Sequence, residues 1–166
     1  MASARKSISI VVADLENPIH ARAIVELIAE YALDPMGGGI ALDPKVLDEL
    51  IPGLRAHPAK RIWLAYDGAN PIGVAICFIG FSTWSARPLI NIHDIAVTRS
   101  ARGRGVGRKL MAAIESAAKT LGCCKITLEV RDDNTVARGL YRDLGFAQAH
   151  AGAAHAAMEF WTKPLA

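Results

Sequence analysis

The spacing of apolar residues changes several times along the chain, and each change predicts a new element. Residues 7–13 alternate isoleucine and valine with small or polar residues, which predicts a first strand. Asn17-Pro18 then combines a capping side chain with a proline suited to the first helical position, and apolar residues recur at helical spacing as far as Tyr31. Asp43-Pro44 repeats the capping signal, so a second helix is predicted, with Gly53 at its end.

The middle of the chain carries longer apolar runs separated by turn residues, which is typical of successive strands. Three strands are predicted here, over 61–66, 72–81 and 89–97. Helical spacing returns at Val106 and continues to Gly122, which is expected to end that helix. The remaining pattern predicts, in order, a strand over 125–131, a helix over 134–144, and a closing strand pair over 146–149 and 156–163.

This succession, β-α-α-β-β-β-α-β-α-β-β, predicts a mixed sheet covered by helices, in the α/β (α+β) class. With 166 residues, the chain is expected to form a single domain over 1–166. The longest apolar run is too short to cross a bilayer as a helix, and no signal-peptide pattern follows the first residues. We therefore expect a cytoplasmic protein that does not bind membranes.

Charge is modest overall but concentrated in one place. The net charge of +3 argues against a nucleic-acid partner. The three cysteines show neither a Cys-x-x-Cys pattern nor a metal-binding spacing, so no metal site is expected. Five basic side chains fall within one short stretch and favour a local anionic ligand. They are Arg99, Arg102, Arg104, Arg108 and Lys109.

A glycine-rich loop over 102–107, Arg-Gly-Arg-Gly-Val-Gly, lies between a predicted strand and a predicted helix. Glycines let the backbone approach a ligand closely, and the following helix offers unpaired N–H groups and the positive end of its dipole. Together these features predict a phosphate-binding loop. Gly107 is followed by Arg108-Lys109-Leu110, so the hydroxyl of a Walker loop is missing, and the glycine spacing differs from the dinucleotide fingerprint.

The spacing Arg-x-x-Gly-x-Gly, which begins at Arg102, occurs together with several other features. The strand ending at Val97 leads into the loop, Asn134 precedes Tyr141 in the next predicted helix, and Leu144-Gly145-Phe146 follows. In this combination the chain resembles the GNAT family of N-acetyltransferases. The resemblance covers nearly the whole order of elements and is densest around the loop.

The resemblance implies a mostly antiparallel sheet that splays between the strands ending at Val97 and Val130. Acetyl-CoA, as cosubstrate, is expected in this gap, and its acetyl group is expected to pass directly to an amine in a ternary complex. One strand's backbone would bind the acetyl and pantetheine part, the glycine loop the pyrophosphate, and the later helix would line the far side. The implied cofactor-binding residues are Ile95, Ala96, Val97, Arg102, Gly103, Arg104, Gly105, Val106, Gly107, Arg108, Asn134 and Ala137.

Two side chains are candidates for proton transfer. The resemblance implies that Tyr141 protonates the departing thiolate, and the alternative is an aromatic residue of the core. Strand alternation places His93 on the same face as Ile95 and Val97, where an imidazole can take a proton from the substrate ammonium. The alternative for His93 is a half-buried histidine hydrogen-bonded to a neighbour. Asp94 is expected to face the other way and to anchor a neighbouring loop.

Within the family, the chain is most similar to the diamine and polyamine acetyltransferase branch, through segments 81–84 and 87–90. That branch has a glutamate where His93 stands and more acidic residues in the loop after the first helix, whereas loop 34–39 has one carboxylate here. A polycation requires more negative charge, so a small-molecule primary amine is expected as substrate. An amino acid, an antibiotic amine and a peptide or protein N-terminus also fit. The branch implies a homodimer.

Two binding functions without catalysis also fit parts of the sequence. A non-catalytic acetyl-CoA sensor would keep the glycine loop but would need no proton donor, so Tyr141 argues against it. A nucleic-acid binder would use the arginine cluster and would show steep salt dependence, but the low net charge argues against this partner.

Overall fold

The computed structural model describes residues 7–148, 150–151, 156–157 and 162–164. These residues form two compact units, which divide between Glu129 and Val130. The described part of the first unit contains a five-stranded sheet and three α-helices, and that of the second contains one α-helix and a two-stranded sheet. No helix within these ranges combines the length and apolar character needed to span a membrane.

The order of elements agrees with the sequence pattern. The first unit contains β1 (Ile8–Val12), α1 (Pro18–Leu33), α2 (Pro44–Ala56), β2 (Lys60–Asp67), β3 (Asn70–Ser82), β4 (Arg87–Val97), α3 (Val106–Thr120) and β5 (Ile126–Leu128), with a short 3-10 turn at Arg99–Ala101. The second unit contains α4 (Thr135–Asp143), β6 (His150–Ala151) and β7 (Ala156–Ala157).

The five strands of the first unit lie in the order β1-β2-β3-β4-β5. Neighbouring strands are antiparallel as far as β4, whereas β4 and β5 are parallel. The parallel pair is possible because α3 supplies the crossover between its two strands. The predicted fold class, a mixed and mostly antiparallel sheet flanked by helices, is therefore confirmed.

Helices cover both faces of this sheet. Residues of α1 and α2 share one buried apolar cluster with Val74 and Ile76 of β3. Val106 and Leu110 of α3 lie against Gly73, whose neighbour Val74 points to the opposite face, so α3 covers the other side. The sheet that contains β3 and β4 is therefore packed between α1 and α2 on one face and α3 on the other.

The helix starts predicted from capping residues are confirmed. The Asn17 side chain accepts a hydrogen bond from the Ile19 N–H at 2.9 Å, and the Asp43 side chain accepts one from the Lys45 N–H at 2.8 Å. Each cap contacts the chain only two residues further on, so the local sequence is sufficient to specify it.

Two predicted element ends are wrong. Helix α2 does not stop at Gly53, because the Gly53 carbonyl accepts a hydrogen bond from the His57 N–H at 3.2 Å, and the helix continues to Ala56. Strand β5 does not extend over 125–131 but ends at Leu128, since its pairing with β4 reaches only Ile92.

The predicted strand over 146–149 is also wrong over its described part, because this segment ends α4 instead. The Gly145 N–H donates to the Arg142 carbonyl at 3.0 Å and the Phe146 N–H donates to the Tyr141 carbonyl at 2.9 Å. With a φ of 85° at Gly145, this is a Schellman motif. The strand pair forms further on, between β6 and β7. Residues 158–161 of the predicted last strand lie outside the described residues.

Candidate active site

The last part of β4 forms an open edge in the described part of the first unit. Pairing with β5 covers only Ile90–Ile92, and no described strand pairs with that side of β4 further on. The Thr98 N–H donates to the Ile72 carbonyl at 3.0 Å, which directs this residue toward β3. Because alternate residues of a strand point their backbone groups to opposite sides, Ile95 and Val97 present theirs to the open edge.

The same alternation directs the backbone of Ala96 toward β3, where Ala96 pairs with Val74. Of the three strand residues expected to bind the cofactor through their backbone, Ile95 and Val97 therefore have the suitable orientation. Ala96 is instead part of the sheet's hydrogen-bonded interior.

A β-bulge in β4 changes the predicted position of His93. Ile76 pairs with Asp94 and Cys77 pairs with Ile92, so His93 is the extra residue between them. Its ring lies 5.7 Å from that of Phe78, on the face covered by α1 and α2. The prediction that His93 shares a face with Ile95 and Val97 is wrong, because the bulge interrupts the period of two on which it is based.

The bulge also brings Asp94 to the same face as His93. Asp94 is half-buried and pairs with Ile76, whose side chain belongs to the cluster under α1 and α2. Burial raises the pKa of Asp94, and the nearby His93 opposes this rise. The expectation that Asp94 faces away from His93 is therefore wrong.

Phe78 lies between two imidazoles. Its ring is 4.6 Å from that of His57, which follows α2, and 5.7 Å from that of His93. Both histidines are exposed. Local sequence patterns give no indication of these ring contacts, because the loop after α2 and the strands β3 and β4 meet only in the folded sheet.

The glycine loop has the backbone geometry that a phosphate site requires. Gly103 and Gly105 have φ values of 74° and 79°, and Gly105 is the N-cap of α3 without any side-chain cap. A Cβ atom at either glycine would meet no described atom within 4 Å, so space is open beside the backbone. A helix start, whose first N–H groups have no partner within the helix, and an open approach fit a pyrophosphate.

The arginine side chains of this loop contact carboxylates from other elements. Arg102 donates from Nη2 to Asp34 Oδ2 at 2.8 Å and from Nε to the Val97 carbonyl at 3.2 Å. Arg104 donates from Nη2 to Asp67 Oδ2 at 2.7 Å. Local sequence patterns do not predict these partners, since they lie 68 and 37 residues away along the chain.

A pocket of about 270 Å³ lies between the C-terminal half of α1 and the end of β4. Its lining includes Val97 of the open edge and two acidic residues, Glu30 and Asp34. Asp34 is only 8% exposed. The pKa of its carboxyl is lowered most by the hydrogen bond from the Met36 N–H and next by the hydrogen bond from Arg102. Glu30 accepts a hydrogen bond from the Arg99 N–H at 3.2 Å.

The predicted site residues of the second unit lie on α4. Asn134 is the N-cap, and its Oδ1 accepts a hydrogen bond from the Ala137 N–H at 3.1 Å. Tyr141 is buried, and its ring lies 5.8 Å from that of Phe146. Both residues therefore have a structural role within this unit, in the start and the end of the helix.

A family model described as the acetyltransferase (GNAT) family matches residues 22–146. The protein belongs to the GNAT acetyltransferase family. The family resemblance predicted from the sequence is confirmed, and the relatives include the thialysine N-epsilon-acetyltransferase of Bos taurus, in keeping with the predicted branch. That relative is 35% identical over 79 residues, which are 48% of this chain and 46% of the relative.

A second relative of this GNAT protein is N-alpha-acetyltransferase RimI of Mycobacterium tuberculosis, which is 35% identical over 83 residues, 49% of this chain and 51% of the relative. The chain thus spans about half the length of these curated relatives. The crystal structure of a probable acetyltransferase has a TM-score of 0.77 and 22% identity, covering 95% of this chain and 98% of that one. This similarity supports the GNAT fold.

Proposed function

We propose that this GNAT protein is an N-acetyltransferase that moves an acetyl group from acetyl-CoA directly to a primary amine of a small molecule. The observation that carries the proposal is the open edge of β4, next to the glycine loop at the start of α3. The edge offers backbone groups to the amides of a pantetheine arm, and the loop offers N–H groups to a pyrophosphate.

In the proposed complex, the backbone of Ile95 and Val97 binds the pantetheine and polarises the thioester carbonyl. The N–H groups over 103–107 bind the pyrophosphate, with Arg108 beside them. The family resemblance assigns the far side of the cofactor to Asn134 and Ala137. A C–N bond forms as the C–S bond breaks, so one proton leaves the amine and one reaches the thiolate.

His93 is the proposed acceptor of the amine proton, and Tyr141 is the proposed donor to the thiolate. Support for His93 is its exposed position at the bulge, next to Asp94 on the same face of the sheet. Support for Tyr141 is the family resemblance.

His93→Gln should lower kcat about a hundredfold or more with unchanged coenzyme A affinity. His57→Gln, which removes the other imidazole beside Phe78, is the matched control, and equal losses in both variants would contradict a base role for His93.

A small amine suits the pocket beside Val97 better than a polyamine. The Asp34 carboxylate is already paired with Arg102, which leaves Glu30 as the pocket carboxylate with more exposure to solvent. The relative named thialysine N-epsilon-acetyltransferase supports a small-molecule amine as substrate. The match to RimI, an N-alpha-acetyltransferase, supports a peptide or protein N-terminus as the second candidate.

The experiment for this proposal is a thiol-release assay with acetyl-CoA and a panel of amines. The panel should contain monoamines, amino acids with a side-chain amine, aminoglycosides, polyamines and short peptides. We expect turnover with a small monoamine or amino acid and weak turnover with polyamines. Tight binding of acetyl-CoA with no turnover on any amine would instead support a sensor. The proposal also includes a cytoplasmic location and a homodimer, and sedimentation of the purified protein would test the homodimer.

A further inference from the structure

Both arginine side chains of the glycine loop form ion pairs with carboxylates of elements that are distant in the sequence. Arg102 contacts Asp34, which follows α1, and Arg104 contacts Asp67, the last residue of β2. The nitrogen–oxygen distances are 2.8 Å and 2.7 Å. The loop is therefore attached at two points to earlier parts of the first unit, the end of α1 and the end of β2.

Both partners of the Arg102–Asp34 contact make additional hydrogen bonds. The Asp34 carboxylate also accepts the Met36 N–H at 2.9 Å, and its side chain is only 9% exposed. The Arg102 guanidinium also donates to the carbonyl of Val97, on the open edge of β4. One side chain thus connects the loop, the end of α1 and the strand edge.

Breaking this pair would be costly. If Arg102 turned toward a bound phosphate, it would leave the buried Asp34 carboxylate without its strongest cationic partner, and an unpaired buried charge is strongly destabilising. Arg99 is 3.8 Å from Asp34, but its side chain is 78% exposed, so it contributes little compensation.

The second contact is more exposed but similar in arrangement. The side chain of Arg104 is 42% exposed and that of Asp67 is 25% exposed. Asp67 lies where β2 turns into β3, so this pair links the loop to one end of the sheet.

We infer that Arg102 and Arg104 are positioning residues, which hold the glycine loop in its binding shape through Asp34 and Asp67, and that backbone N–H groups bind the phosphates. The inference rests on the proposed coenzyme A site. It reverses the simplest interpretation of the arginine cluster, in which these two guanidinium groups contact the phosphates themselves.

The two interpretations predict opposite changes in coenzyme A affinity for one substitution. Asp34→Asn keeps an oxygen for the Met36 N–H but removes the charge that holds Arg102. If Arg102 positions the loop, coenzyme A should bind about fivefold or more weakly to this variant, as measured by calorimetry. If Arg102 binds phosphate, the freed guanidinium should bind coenzyme A more tightly, and that result would overturn the inference.

A double-mutant cycle adds a second criterion. Arg102→Gln and Asp34→Asn should weaken coenzyme A binding by similar factors, and the double variant should be no weaker than either single variant. Additive losses would overturn the inference. Asp48→Asn, an exposed carboxylate of α2, is the matched control and should bind like the wild type. If Asp34→Asn does not fold, Asp67→Asn with Arg104→Gln tests the same claim on the more exposed pair.

Two further readouts distinguish positioning from general destabilisation and from failure of the proposed function. Affinity for pantetheine, which lacks the phosphates, should be unchanged in Asp34→Asn, whereas equal losses for both ligands would contradict a role in the phosphate loop. In the ligand-free Asp34→Asn variant, amide hydrogen exchange over 103–107 should be faster than in the ligand-free wild type by about fivefold or more. If the wild type bound no coenzyme A, the proposed function would fail, and unchanged exchange would separately overturn the positioning role.

Discussion

At the scale of single residues, the bulge at His93 decides which side chains share a surface. One additional residue in β4 moves His93 and Asp94 onto the face of Phe78 and directs the backbone of Ile95 and Val97 to the open edge. The sequence pattern predicts the strand correctly but not the bulge, because a bulge depends on pairing with β3 and not on alternation within β4.

The hydroxyl of Tyr141 can be tested without disturbing the packing of its ring. Tyr141→Phe keeps the ring next to Phe146, so the end of α4 should be preserved. We expect kcat to fall about a hundredfold while coenzyme A affinity stays within about twofold of the wild type. Unchanged kcat would show that Tyr141 is not the acid.

Asp94 should make stability depend on pH in a defined direction. Burial raises its pKa in the folded protein above the ordinary value of 3.8, so folding favours the protonated form. Its favourable contribution is complete below pH 3.8 and is lost as the pH rises through the folded-state pKa.

Asp94→Asn should therefore be more stable than the wild type at neutral pH, and the difference should vanish in acid. Thermal unfolding of both proteins across this pH range measures the effect. A variant that is less stable at pH 7 would indicate instead that the carboxylate anchors a neighbouring segment.

At the scale of elements, helix ends are predictable where a single residue type determines them. Asn17 and Asp43 specify their caps within two residues, and the sequence identifies both. The prediction at Gly53 is wrong because a glycine ends a helix only when the chain turns there, and here the hydrogen bonds of α2 continue past it. Leu144-Gly145-Phe146 is correctly associated with the end of α4, but the sequence pattern does not predict its Schellman motif.

Two glycines of α4 provide a matched test of that motif. Gly145 has a φ of 85°, so Gly145→Ala should lower the free energy of unfolding by about 1 kcal/mol. Gly139 lies inside the helix, and a Cβ atom at this position would meet no described atom within 4 Å, so Gly139→Ala should raise the free energy of unfolding by about 1 kcal/mol. Chemical denaturation measures both, and a loss of stability in both variants would contradict the assigned roles.

At the scale of the whole molecule, the family and the order of elements follow from the sequence, whereas the contacts around the loop do not. The loop itself is evident from its glycines. Its ion pairs with Asp34 and Asp67 connect residues 68 and 37 positions apart, and only the folded sheet brings them together. Asp34, the single carboxylate of the loop after α1, lines the pocket proposed for the amine and also contacts the proposed cofactor loop through Arg102.

If the glycine loop and the open edge of β4 form a coenzyme A site, acetyl-CoA should bind to the protein, and calorimetric titration measures this binding. We expect saturable binding to the wild type and none to Gly105→Asp, which places a side chain and a negative charge beside the phosphates. Gly122→Asp, at a glycine with a φ of 66° outside the loop, should bind like the wild type. Absence of binding to the wild type, or full affinity in Gly105→Asp, would contradict the claim.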